Sequence, residues 1–182
     1  MKLYNTLTKT KEPFVTMTPH VVNMYVCGVT VYDYCHIGHA RAYVVFDTLK
    51  RYLAYRGYAV NHVQNFTDID DKILNRAAEL GIPAMQLVEI MMTAYFTDMD
   101  ALNVGRASVY PRVTEHIPEI IAFIQALIDK GIAYTANGDV YFRVSHSHDF
   151  GKLSKRTLDQ MQAGARVEKN TAKEHLMDFS LW

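Results

Sequence analysis

The chain has 182 residues, of which 49% are hydrophobic and 21% charged, with Lys+Arg and Asp+Glu equal at 19 each. Such a composition belongs to a globular chain of one large domain, or one domain carrying an insertion. A net charge of zero excludes a global basic field and an acidic tail, while leaving room for a local basic patch that meets RNA.

Residues 1–20 predict a short edge strand and a loop holding Pro13 and Pro19. Residues 21–27 are apolar at nearly every position, which predicts a strand buried on both faces. A helix follows over 36–56, with Ala42, Val45, Phe46, Leu49, Tyr52 and Leu53 at 3.6 spacing and Gly57 as its C-terminal cap. Residues 58–66 predict a second strand, with Val60 and Val63 inside it. Thr67 is placed to cap the next helix, and Asp68, Asp70 and Asp71 suit the positive end of its dipole. Gly81 ends that helix.

Pro83 opens a third helix with the apolar stripe Val88, Met91, Met92, Tyr95, Met99 and Leu102, whose methionines are read as core packing. Residues 112–130 predict a fourth helix, with Ile117, Ile120, Ile121, Ile124, Leu127 and Ile128 on one face, Pro118 in its first turns and Gly131 closing it. The period then changes to two, and Asn137-Gly138 turns a hairpin between 132–136 and 139–144. Strand, helix, strand and helices followed by an antiparallel piece predict an α/β nucleotide-binding half-sheet and then an insertion, with a boundary near Pro111. Residues 177–182 read as a strand interrupted by the terminus.

The two cysteines, Cys27 and Cys35, form no disulfide framework, and neither a signal peptide nor a membrane-spanning apolar run is read, so a reduced, cytoplasmic protein without membrane contact is expected. The chemistry concentrates in residues 26–39. His36-Ile37-Gly38-His39 stands where a strand ends and a helix begins. A polyphosphate placed there gains the free amides of the first turn and the helix dipole. Either histidine can donate to phosphate oxygens as charge develops in an in-line displacement. Gly38 lets an adenine or ribose approach the backbone. The pair also reads as two ordinary helix-start histidines, and two histidines alone do not fill a zinc shell. Cys27, at the strand's carboxyl end before Gly28, reads as a zinc ligand, a nucleophile or an inert buried thiol. Cys35 reads as packing.

Taken together, Met24-Tyr25-Val26-Cys27-Gly28-Val29-Thr30-Val31-Tyr32-Asp33, His36-Ile37-Gly38-His39 and Asn65-Phe66-Thr67-Asp68-Ile69-Asp70-Asp71-Lys72-Ile73 resemble the amino-terminal part of cysteinyl-tRNA synthetase, a class I aminoacyl-tRNA synthetase. The likeness continues through residues 158–167 and Met177-Asp178-Phe179. It implies half of a Rossmann-like catalytic core over 1–113 and the start of a connective-peptide insertion over 114–182. It implies a ligase that joins L-cysteine to ATP, with magnesium, and passes cysteine from the adenylate to tRNA(Cys). Within it, His36 and His39 would steady the ATP phosphates and Gly38 would lie under the adenosine. Cys27, Gly28, Thr30, Asn65 and Thr67 would line the substrate site, and Cys27 would be one zinc ligand. Zinc has a chemical rationale, because it binds a thiolate in preference to a hydroxyl and so separates cysteine from serine.

The remaining zinc ligands, the Lys-Met-Ser-Lys-Ser loop and the anticodon-reading domain are expected beyond Trp182. The Lys152-Leu153-Ser154-Lys155 run is not that loop, and His146, His148 and His175 fall in the wrong segment to complete the metal shell. Ala42 departs from relatives that carry a hydroxyl there. The expected protein is therefore an amino-terminal fragment, inactive alone. Two alternatives stand beside it. One is a free-standing nucleotide- or tRNA-binding module that pairs with a complementing carboxyl-terminal chain. The other is a related ATP-dependent ligase that joins cysteine to an amino sugar, in which proline tends to stand at the position of Val31.

Overall fold

The computed structural model describes residues 1–156, 160 and 172–182. The chain forms two compact units, one of Val15–Ile117 and one of Met1–Phe14 with Pro118–Trp182. Asp68 accepts from the Thr114 amide and hydroxyl at 3.1 and 2.5 Å, which fastens the short 3-10 turn Val113–His116 to the first of these units.

The first twenty residues hold two strands where one was expected. β1 (Lys2–Asn5) pairs antiparallel with β2 (Thr10–Pro13). Lys9 closes the turn at φ 58°, and its amide donates to the Asn5 carbonyl. Pro13 sits at the last paired position, where its missing donor costs little.

In the Val15–Ile117 unit, β3 (Val21–Thr30) leads through α1 (Ile37–Tyr55) to β4 (Ala59–Thr67), and the two strands pair in parallel. α2 (Asp71–Leu80) and α3 (Ala84–Ala101) then return the chain to the sheet, where Val109 and Arg112 form parallel bridges to Val63 and Phe66. Side chains from all three helices, including Tyr43, Ile73, Leu87, Met92 and Met99, join Val26, Val29, Val31 and Phe66 in one core. Phe66 is wholly buried, edge-on to Tyr95 and Phe96 and stacked on Tyr110. Burial of such a ring contributes roughly 2–3 kcal/mol.

Because the helices share one face of the sheet, β3 is not buried on both faces as its composition suggested. Val22, Val26 and Val29 are buried, whereas Asn23, Tyr25 and Cys27 are exposed. α1 is likewise rotated from expectation. Tyr43, Asp47 and Leu53 face inward, and Val45, Phe46 and Tyr52 lie outward. Asp47 is held there by Arg51 and by the Gly105 amide. Thr67 does not cap α2, because it is still in β4, paired with Thr30 and accepting from the Val31 amide. Asp70 is the cap instead, accepting from the Lys72 amide at 2.9 Å. Leu102 lies past the end of α3 and is exposed.

His62 on β4 is buried with neither ring nitrogen hydrogen-bonded. Burial, then the Lys50 charge, hold its pKa below the usual histidine value of 6.5, with Asp47 acting in the opposite sense. The unfolded chain thus takes up a proton at a higher pH than the folded chain does. The stability from neutral His62 is complete above about pH 6.5 and is lost as pH falls below it. His62→Phe should raise stability by roughly 1 kcal/mol and flatten that acid slope, read by urea unfolding at pH 7.5 and 5.5. An unchanged slope would refute this account.

In the other unit, the fourth helix begins later than expected. α4 (Ile117–Asp129) carries Pro118 in its first turn, and of its isoleucine face only Ile124 is fully buried. β5 (Ala133–Ala136) and β6 (Asp139–Phe142) form the expected hairpin, with Asn137 and Gly138 both at positive φ. β7 (Phe179–Ser180) adds to β6. Beneath them Asp178 is buried, accepting from the Tyr134 hydroxyl (2.8 Å) and the Val144 (2.9 Å) and His175 (3.1 Å) amides. Of the 158–167 stretch, only Gln160 is among the described residues.

Candidate nucleotide site

The turn from β3 into α1 is shaped by two histidines that cap each other. His36 is the N-cap of α1, extended at φ −124° and ψ 174°. Its Nδ1 accepts from the Gly38 amide at 3.0 Å, while Nδ1 of His39 accepts from the His36 amide at 3.2 Å. The rings lie 4.1 Å apart, centroid to centroid. A ring nitrogen that accepts carries no proton, so in the neutral rings the proton sits on Nε2 of each. The first turn of α1 therefore presents two Nε2–H donors, one on exposed His36 and one on half-buried His39. Burial, then the neighbouring His36, hold the His39 pKa below its usual value, which favours this donor state. Gly38 leaves room for the cap: a Cβ there would lie 2.7 Å from Cε1 of His36, so the capping ring would have to shift. A cleft of about 340 Å³ opens beside the cap, lined by Cys35, His36, Ile37, Ala40, Asp98 and Met99 among others.

The second feature lies at the end of β3. Val26 pairs with Gln64 but Val29 with Phe66, so Cys27 and Gly28 occupy a bulge opposite Asn65. The Gly28 amide donates to Asn65 Oδ1 at 2.8 Å, and the Tyr25 hydroxyl donates to the same oxygen at 2.8 Å. Cys27 is exposed and unpaired in any disulfide. Its carbonyl accepts a long bond, 3.5 Å, from the Tyr43 hydroxyl. Burial pushes the Tyr43 pKa far up, so this hydroxyl remains a donor. Thr30 and Thr67 face each other in register at the carboxyl ends of the two strands.

The fold thus groups His36, Gly38 and His39 at one turn, Cys27, Gly28 and Asn65 at the bulge, and Thr30 with Thr67 beyond it. Tyr25 and Tyr43 were not singled out from the sequence. Their spacing was the available signal, two residues before Cys27 and one helical turn after His39. No three His, Cys, Asp or Glu side chains converge on a common point among the described residues, so Cys27 is not part of a cluster of three or more such groups there. No described helix is long and apolar enough to cross a membrane.

The family profile described as tRNA synthetases class I (C) catalytic domain matches residues 13–182. The chain belongs to the class I cysteinyl-tRNA synthetase family. It is 56% identical to the cysteine–tRNA ligases of Nostoc sp. and Carboxydothermus hydrogenoformans, and 54% identical to that of Clostridioides difficile. These matches cover 100% of this chain but 38–39% of each relative, so the chain spans under half the length of the curated synthetases it matches. Among solved structures, a leucyl-tRNA synthetase of Agrobacterium radiobacter in a ternary complex superposes with a TM-score of 0.57 at 22% identity, over 69% of this chain and 16% of that one. A methionyl-tRNA synthetase of Mycobacterium tuberculosis gives 0.55 at 18% identity, over 68% and 33%. These likenesses show the fold, a Rossmann-like class I synthetase core. In this member of the family, the Asp residues and lysine of stretch 67–72 divide into separate tasks. Asp68 docks the 3-10 turn, Asp70 caps α2, and Lys72 lies 5.5 Å over the Tyr32 ring.

Proposed function

We propose that this chain carries the phosphate-binding half of the active site of a cysteine–tRNA ligase, which uses ATP, magnesium, L-cysteine and tRNA(Cys) in the cytoplasm. The observation that carries the reading is the reciprocal histidine cap. It fixes two Nε2–H donors at the N-terminal, electropositive end of a 19-residue helix. When the cysteine carboxylate attacks the α-phosphate and pyrophosphate leaves, negative charge develops on the phosphate oxygens, and pre-oriented donors there lower the barrier. Thr30, Asn65 and Thr67 would line the cysteine end, and Gly28 would let the substrate approach the bulge. In this reading Gly38 lies under the adenosine.

Cys27 would contribute one thiolate to a zinc ion. The described residues alone do not form a zinc shell, and no part of the phosphate chemistry above depends on the ion. The family likeness supports residues 114–182 as the start of the connective-peptide insertion. The Val31 amide donates to the Thr67 carbonyl, a bond that proline at that position would forbid, which favours the tRNA ligase over the amino-sugar ligase.

The test is cysteine-dependent ATP–pyrophosphate exchange. Residues 1–182 grafted in place of the matching segment of the Nostoc ligase should support exchange, and His39→Ala in that graft should lower kcat about 10²–10³-fold. The 182-residue chain alone should show no exchange and bind no stoichiometric zinc. An inactive but folded graft would overturn the ligase reading, and robust exchange by the chain alone would overturn the incomplete-site reading.

A further inference from the structure

The β3 bulge is an unusual construction. In a regular parallel pair the Gly28 amide would point at a main-chain carbonyl of β4 or at solvent. Here it points at a side chain, Asn65 Oδ1, at 2.8 Å. The two strands approach so closely that a Cβ on Gly28 would stand 1.5 Å from the Asn65 carbonyl oxygen. The same Oδ1 takes the Tyr25 hydroxyl at 2.8 Å, across the exposed face that Tyr25 shares with Cys27. One oxygen thus closes a loop through Tyr25, Cys27 and Gly28. On the inner side, the Tyr43 hydroxyl reaches the Cys27 carbonyl. Side-chain alternation alone does not fix which way a bulged residue points, because the extra residue breaks the period of two.

We propose that Asn65 is a positioning residue for Cys27: its side-chain oxygen pins the bulge, and Tyr25 braces that oxygen, so that the thiol is presented on the open face of the sheet. This assigns Asn65 a role beyond lining a substrate pocket and gives Tyr25 one that nothing else in the site supplies. It rests on the ligase reading only in what Cys27 is presented to, and the clamp itself is tested without nucleotide, metal or tRNA.

The experiment is amide hydrogen exchange by NMR on the 182-residue chain, with the Phe66 amide as the internal reference, since it is bonded to the Pro111 carbonyl in the same sheet. Asn65→Ala should speed exchange at Gly28 at least 10-fold relative to Phe66. Asn65→Asp, which keeps the acceptor, should restore the ratio to within about 2-fold. Tyr25→Phe should fall between them. In the same variants, iodoacetamide labelling of Cys27, read against Cys35 by peptide mass spectrometry, should change at least 5-fold in Asn65→Ala and not in Asn65→Asp. Unchanged Gly28 exchange in Asn65→Ala would overturn the proposal. So would parallel acceleration of Gly28 with Phe66, or of Cys27 with Cys35, because that is global loosening. A failed exchange assay in the grafted ligase would strike the ligase reading and leave the clamp standing.

Discussion

Gly28→Ala is expected to lose at least about 3 kcal/mol of stability in the Val15–Ile117 unit. The added methyl carbon would lie 1.5 Å from the Asn65 carbonyl oxygen and 2.5 Å from its carbon, both main-chain atoms of the paired strand. No rotamer change relieves such an overlap. β3 and β4 must separate locally, which breaks the Val29–Phe66 and Thr30–Thr67 pairs and disturbs the most buried ring of the core. Urea unfolding followed by circular dichroism reads the loss. A variant within 1 kcal/mol of wild type would show that the strands are not this close. Gly57→Ala is an informative contrast. Nothing lies near its Cβ, so only the cost of its positive φ of 85°, roughly 1 kcal/mol, is expected.

The second large effect is expected in the other unit. Asp178→Ala removes one buried carboxylate and strands three donors at once, the Tyr134 hydroxyl and the Val144 and His175 amides. Each unsatisfied buried donor costs about 1–3 kcal/mol, and two of the three are fully buried while the His175 amide is only partly so; a loss of about 3–5 kcal/mol is therefore expected. Asp178→Asn keeps one acceptor oxygen and should lose less than half as much. Trp182 is the single tryptophan, and it exchanges main-chain bonds with Val140 in this unit, so its fluorescence reports the transition directly. Equal losses for the two variants would mean that charge, and not acceptor geometry, organises this knot.

The parallel core was legible in the sequence because its signals are local. Apolar strands, glycine-capped helices and the His36–His39 turn each announce themselves within a few residues. What was not legible depends on partners distant in sequence. Which face of α1 turns inward is settled by Asp47, a charged residue that composition assigns to the surface but that the Gly105 amide and Arg51 hold inside. Thr67 was assigned to the helix because hydroxyls cap helices, yet strand pairing with Thr30 claims it first. The clamp at Asn65 reaches back 37 residues to Gly28, and no periodicity in either strand encodes it. At the candidate site the residue types are readable in the chain, whereas the tautomers, the bulge and the roles of Tyr25 and Tyr43 arise only from contacts made in the fold.

The mutual capping of His36 and His39 also changes how their variants must be interpreted. Each ring holds a main-chain amide that orients the other, so the two substitutions share one interaction and their free energies will not add. A rate lost in a His36 variant combines the missing phosphate donor with a frayed helix start. Asparagine at position 36, which retains an N-cap acceptor but lacks the imidazole, is the substitution that parts the two effects.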